Sequence, residues 1–268
     1  MRGRVLIIAG SDSGGGAGIQ ADIKAVTALG GYAATAVTAV TVQNTLGVHG
    51  VHPVPLEAVE AQARVVLDDI GADAVKTGML GSAAVVELAA RLLDGPAAGV
   101  PAVVDPVMVA KGGHPLLEES AVAAVCTLLV PLAALLTPNA PEAEALTGLP
   151  VLDLDGQRRA GEALLKLGAR AVLMKGGHIA GETVVDLLLT PAGETTLEGP
   201  RVDTRHTHGT GCTLASACAA GIAQGLPLEQ AVARAWAYTV EAMRRAPGFG
   251  AGHGPLDHAW PLREAAAR

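Results

Sequence analysis

Gly209-Thr210-Gly211-Cys212 stands directly before an apolar helical stretch, Thr213–Gln224. Small residues at a helix start leave backbone N–H groups open to an anion, and the helix dipole there favours a thiolate. Cys212 could then serve as a base or as a nucleophile; the plainer alternative is a Gly-rich turn with a buried cysteine. Cys126 and Cys218 fall inside helical patterns and read as core. A second Gly-rich loop, Gly10 to Gly18, opens another helix. It matches neither the G-x-G-x-x-G dinucleotide fingerprint nor the G-x-x-x-x-G-K-[ST] phosphate loop. What remains is a loop that lets backbone approach a ligand closely. Asp22 reads as a first-turn acid of the helix that follows, where compensation of the helix dipole is an equal account.

Asn139-Ala140-Pro141-Glu142 puts Pro near a helix start. Asn139 could be the cap and Glu142 a first-turn acid, or the pair could hold Mg²⁺ through water beside a phosphate. His206, His208 and Cys212 are three zinc-capable side chains with no fourth at a standard spacing, which argues against zinc. Five lysines (24, 76, 111, 166, 175) stand against fourteen arginines, and three of the five adjoin Gly or Thr-Gly at strand ends or loops. A compact point charge on a phosphate would use Lys there; chance placement is the alternative.

These residues must be held by short apolar runs. Strands are expected over Val5–Ala9, Thr35–Val42, Ala74–Lys76, Ala102–Asp105, Leu135–Thr137 and Ala171–Lys175. They are nearly continuously aliphatic, as strands covered on both faces must be. Helical patterns occupy Gly18–Leu29, Leu56–Asp69, Ser82–Leu93, Glu118–Leu129 and Gly156–Leu167. The alternation predicts an α/β fold in three layers, α/β/α, around a mostly parallel sheet. Val184–Leu189 and Thr195–Leu197 flank Pro191-Ala192-Gly193 as an antiparallel hairpin. Two helical patterns follow, Thr213–Gln224 and Leu228–Arg244, then a Gly-rich tail from Phe249 to Pro255 with room for a short helix after it. A single domain over residues 1–268 is expected, with a small lid. Polar residues follow each of the six strands, and in an open parallel sheet those carboxyl ends share the edge where ligands bind.

Composition excludes several classes. The chain has 268 residues, 50% hydrophobic, 17% charged and 2% aromatic, with 34 Gly. That many aliphatics rule out disorder. Few rings argue against base-stacking nucleic-acid platforms. A net charge of −7 argues against a phosphate-backbone footprint, so no nucleic-acid partner is expected. Three Cys make no disulfide framework. Ala121 to Leu136 is the best membrane suspect, but it is shorter than the ~20 residues a span needs and is broken by Pro131. No membrane association is expected. Val5-Leu6-Ile7-Ile8 is too short for a signal sequence, so a cytoplasmic location is expected.

Several stretches, in order along residues 4 to about 245, resemble hydroxymethylpyrimidine/phosphomethylpyrimidine kinases of thiamine biosynthesis, within the wider ribokinase-like fold. They are Ala9-Gly10-Ser11-Asp12-Ser13-Gly14-Gly15-Gly16-Ala17-Gly18-Ile19-Gln20-Ala21-Asp22, Thr38-Ala39-Val40-Thr41-Val42-Gln43-Asn44-Thr45, Asp105-Pro106-Val107-Met108-Val109-Ala110-Lys111, Leu136-Thr137-Pro138-Asn139, Met174-Lys175-Gly176-Gly177-His178 and Thr207-His208-Gly209-Thr210-Gly211-Cys212-Thr213. The resemblance implies ATP and Mg²⁺ as cofactors, a sheet of about eight strands, and two successive phosphorylations of 4-amino-5-hydroxymethyl-2-methylpyrimidine. It implies that Gln43 pairs with the aminopyrimidine edge and that Gly10, Asp22, Met79 and Val107 line the same pocket. With so few rings in the chain, the pyrimidine is expected between aliphatic and Met side chains, Val42, Met79 and Val107 among them. The resemblance gives Cys212 the place of the base, and Gly209, Thr210 and Gly211 the anion hole. It gives Asn139 and Glu142 the metal and phosphate motif, Lys175 the phosphate contact, and Asp105 a metal-side acid. It implies a homodimer. Pyridoxal kinase is the rival reading within the fold; a Cys-dependent hydrolase is the rival from another class. The C-terminal tail carries no assignment.

Overall fold

A computed structural model describes residues 3–109, 116–117 and 119–266. Ala110 and Lys111 of the third matched stretch lie outside them. The chain runs β1 (Arg4–Ser11), α1 (Gly18–Ala28), β2 (Tyr32–Asn44), β3 (Gly47–Pro53), α2 (Leu56–Asp69), β4 (Ala74–Thr77), α3 (Ala83–Asp94), β5 (Ala102–Val104), α4 (Glu119–Ala124), β6 (Ala133–Leu136), α5 (Ala140–Thr147), α6 (Leu154–Lys166), β7 (Val172–Met174), β8 (Thr183–Thr190), β9 (Gly193–Pro200), α7 (Thr210–Ala223), α8 (Leu228–Arg244) and α9 (Trp260–Ala266). One nine-stranded sheet takes the order β3-β2-β1-β4-β5-β6-β7-β8-β9. Its strands from β2 to β7 are parallel, and β3, β8 and β9 join antiparallel at the two edges.

Strand alternation builds the layers. In β1, Leu6 and Ile8 enter one core cluster while Val5, Ile7 and Ala9 enter the other. The same split separates Val104 from Val103 and Met174 from Leu173. The first cluster takes residues of α2 to α6, and the second takes residues of α1, α7 and α8. Among their buried residues Tyr238 supplies the one aromatic ring, in keeping with the composition.

Three elements depart from the sequence expectation. β3 was not expected, because Gly47-Val48-His49-Gly50-Val51-His52-Pro53 lacks a strand's apolar density; it pairs with β2 as a hairpin. The helix expected over Glu118–Leu129 is α4 followed by a wider turn at Val125–Leu129 and a tighter one at Val130–Leu132, where Pro131 ends it. The sheet has nine strands rather than about eight. The hairpin about Pro191–Gly193 forms as expected. No helix among the described residues is long and apolar enough to cross a membrane.

Candidate active site

α7 begins at Thr210 with Gly209 as its N-cap, held at φ +82°. A side chain there would be strained, and a Cβ would overlap the Gly16 carbonyl oxygen. The two Gly-rich loops are therefore packed backbone to backbone. The first intrahelical bond runs from Thr213 N–H to Gly209 O at 2.9 Å, so the N–H groups of Thr210, Gly211 and Cys212 precede the helix ladder. That of Thr210 reaches Thr207 O at 3.3 Å. A Cβ on Gly211 would lie 3.1 Å from Lys175 Nζ and about 4 Å from the Asp105 carboxylate. The helix start thus faces the ends of β5 and β7.

There Lys175 Nζ lies 3.1 Å from Asp105 Oδ1 and 3.7 Å from Glu142 Oε2. Thr137 Oγ1 donates to Asp105 Oδ1 at 3.2 Å, while Asp105 Oδ2 is buried with no hydrogen-bond partner among the described residues. Burial opposes the Lys175 ammonium, but Asp105 and Glu142 outweigh it and hold its pKa above the ordinary lysine value. Burial pushes the Glu142 carboxyl up to about 7; Lys175 pulls it down and Asp105 pushes it up. Asn139 and Glu142 form a reciprocal capping box on α5: Asn139 Oδ1 accepts Glu142 N–H at 2.9 Å and Glu142 Oε2 accepts Asn139 N–H at 2.8 Å. The structural account of these two residues therefore holds, and it delivers Glu142 to Lys175 as well. Gly176 N–H donates to Asp186 Oδ1 at 2.7 Å, and Arg201 donates to the carbonyls of Gly177, Ile179 and Gly181. The loop after Lys175 is thus strapped from β8 and from the end of β9.

The pyrimidine-side residues divide. A Cβ on Gly10 would lie 2.8 Å from Met79 Cε, so those two meet. Val107 is half-buried two residues beyond Asp105. The Ser13 hydroxyl donates to Gln43 O and accepts from Gln43 N–H, both at 2.9 Å, which pins the end of β2 to the first glycine loop. Val42 is 49% exposed and lies across the β2–β3 ladder from Gly50. Asp22 is not a first-turn acid. It is the fifth residue of α1 and fully buried. Lys76 Nζ donates to both its oxygens, at 2.9 and 3.0 Å, and Ser216 Oγ donates to Oδ1 at 2.7 Å. Lys76, read by its sequence neighbours as a candidate for phosphate, is fully enclosed by this pairing.

Cys212 also departs from expectation. The helix start was expected to favour the thiolate, yet burial pushes the thiol up to about 12, against the pull of Lys76. The Gly18 backbone also favours the thiolate, more weakly.

Two groups were missed in the sequence. Asp12 Oδ1 accepts Gly14 N–H at 2.7 Å; Asp12 Oδ2 accepts Gly16 and Ala17 N–H at 2.9 and 2.7 Å and bonds His208 Nε2 at 2.9 Å. His208, weighed as a zinc ligand, is thus committed to Asp12. The C-terminal tail is the second group. His208 N–H donates to Gly254 O, and His253 N–H donates to Thr45 O. His258 Nε2 lies 2.9 Å from Thr213 Oγ1, which itself donates to Gly209 O at 2.8 Å. With its one proton on Gly209 O, that hydroxyl can only accept from His258, which makes Nε2 the protonated nitrogen. Burial holds the His258 pKa down to about 4, so the ring is neutral.

Residues 12–257 match the family described as phosphomethylpyrimidine kinase. The chain belongs to that family. A hydroxymethylpyrimidine/phosphomethylpyrimidine kinase of Streptomyces coelicolor is 54% identical over 97% of this chain and 96% of its own length. That of Bacillus subtilis is 47% identical over 95% and 94%. Among solved structures, the ADP complex of Bacillus subtilis pyridoxal kinase superposes with TM-score 0.91 at 35% identity, over 98% of this chain and 99% of that one. The phosphomethylpyrimidine kinase of Clostridium difficile gives TM-score 0.79 at 40% identity, over 89% and 98%. The family match ends one residue before His258, the tail residue that meets Thr213 and, through it, Gly209.

Proposed function

We propose that this phosphomethylpyrimidine kinase family member transfers a phosphoryl group from ATP to the alcohol of 4-amino-5-hydroxymethyl-2-methylpyrimidine, and then to the resulting monophosphate. One observation carries the site assignment: Gly211 stands against Lys175 and Asp105, so an anion-binding helix start, a cation and a carboxylate converge on one point. Phosphoryl transfer needs this kind of positioning and charge neutralisation more than covalent chemistry. The N–H groups at the start of α7 would hold the moving phosphoryl group, and Lys175 would neutralise its oxygens. The unpartnered Asp105 Oδ2 and the Glu142 carboxylate are hard oxygen donors that fit Mg²⁺, which when bound would supply further charge neutralisation. Cys212 would take the alcohol proton. Gln43, Gly10, Met79 and Val107 would hold the ring. We further take the 268 residues as one domain acting in the cytoplasm as a homodimer.

The second step differs in one respect: a phosphate oxygen is already anionic and needs no base. Cys212→Ala should therefore lower kcat for alcohol phosphorylation far more than for phosphate phosphorylation. Equal losses in both steps would assign Cys212 a shared positioning role instead. The likeness to pyridoxal kinases supports a second alcohol substrate, pyridoxal. A side-by-side kcat/KM for the two alcohols decides which one the site serves.

A further inference from the structure

Lys76 is a fully buried lysine that the reaction outlined above does not use. Among the described residues its ammonium donates to Asp22, and Asp22 is tied to Ser216. Ser216 lies one turn after Cys212 on α7, so both project from the same helix face. The ion pair is therefore anchored directly below the cysteine. Mutual attraction in a buried ion pair roughly offsets its desolvation, so stability alone gives no account of it. A second fact points the same way. The Cys212 side chain is partly buried, and the charged groups that act on its thiol are Lys76 from β4, Asp22 from α1, Asp105 after β5 and Lys175 after β7. After burial itself, Lys76 acts on the thiol most strongly, and Asp22 opposes it.

Resting on the reading of Cys212 as the base, we propose that Lys76 is a positioning residue whose enclosed charge stabilises the Cys212 thiolate formed as the substrate alcohol loses its proton. Asp22 then has two roles of opposite sign: it holds Lys76 in place, and it weakens the field that Lys76 exerts on the sulfur.

The test reads the thiol itself, without substrate. Iodoacetamide labelling of Cys212 is followed by site-resolved mass spectrometry from pH 7 to 10.5, which keeps Cys126 and Cys218 separate. The full chain is compared with Lys76→Met, Lys76→Arg and Asp22→Asn. Lys76→Met should slow labelling at a given pH. A one-unit rise in pKa removes about tenfold of the thiolate, and the greater nucleophilicity of the more basic thiolate recovers about threefold, leaving a loss of about threefold. Lys76→Arg should restore most of the rate, and Asp22→Asn should leave it equal or faster. A loss of packing would slow or speed both single variants alike; a charge effect separates them. Unchanged or faster labelling in Lys76→Met, or slowing in both Lys76→Met and Asp22→Asn, overturns the proposal. If the single variants do not fold, the double variant Lys76→Met/Asp22→Asn removes both charges together. It should still label more slowly than the parent, and parental labelling overturns the proposal. The outcome is independent of the base assignment: Cys212→Ala kinetics test that reading, and labelling tests Lys76.

Discussion

Asp12 offers the sharpest test of how the two glycine loops are built. Its carboxylate is fully buried, accepts three backbone N–H groups and bonds His208. In Asp12→Asn the new Oδ1 can take the place of Oδ2 and keep Gly16, Ala17 and His208. The new amide then faces the Gly14 N–H, donor against donor. The variant loses one charge-assisted bond, orphans one N–H and weakens the other three bonds. Each charge-assisted bond is worth about 1.5–3 kcal/mol, so a loss of about 2–4 kcal/mol is expected. At about 2 °C per kcal/mol for a chain of this size, Tm falls by about 4–8 °C. The pH dependence follows from the Asp12 pKa. Burial raises it, but His208 and the backbone donors of Ala17 and Gly14 outweigh burial and hold it below the ordinary aspartate value. A carboxylate with a depressed folded pKa contributes stability that is full above the unfolded value, near 3.8, and fades as pH falls toward the folded one. The gap between parent and variant should therefore be widest near pH 7 and should close below about pH 4. Thermal and urea unfolding at pH 7, 5 and 3.5 measure it. A gap that is flat with pH, or smaller than about 0.5 kcal/mol at pH 7, would refute the claim that an ionised Asp12 organises the loop.

Three further outcomes follow from the same geometry. Gly209→Ala places a side chain at positive φ and against the Gly16 carbonyl, so kcat should fall by about a hundredfold in both phosphorylation steps, as for loss of an oxyanion donor; steady-state kinetics on the folded variant check it. Glu142→Gln keeps the α5 capping box but removes a carboxyl whose folded pKa, about 7, stands above its ordinary value of 4.5. Ionising it costs stability between those two values, so in metal-free buffer the Tm advantage of the Gln variant should grow from pH 5 to pH 8, and a shrinking advantage would contradict the burial argument. His258→Ala should lower kcat several-fold by freeing Thr213 and Gly209, and His258→Gln, which keeps an N–H donor, should recover most of that loss with little change in substrate KM.

Local backbone devices were readable in the sequence because they depend on neighbours in the chain. The alternating aliphatic runs located the parallel strands, the Pro191–Gly193 turn located the edge hairpin, and Asn139 to Glu142 spelled its own helix cap. Long-range polar partners were not readable, because nothing local selects them. Asp12 and His208 are 196 residues apart, Asp22 and Ser216 are 194 apart, and Lys76 lies 54 residues from Asp22. The lysines show the limit most clearly. Lys76 and Lys175 both close aliphatic strands before glycine, and by sequence both suit a phosphate. The fold gives Lys76 a carboxylate and a serine that enclose it, whereas Lys175 meets two carboxylates beside an open helix start. Cys212 fails in the same way. Its place at a helix N-terminus is local and predicted an easy thiolate, but the groups α7 packs against bury the sulfur and reverse the sign. A motif therefore fixes which atoms arrive at the site, and the partners supplied by topology fix the charge state in which they arrive.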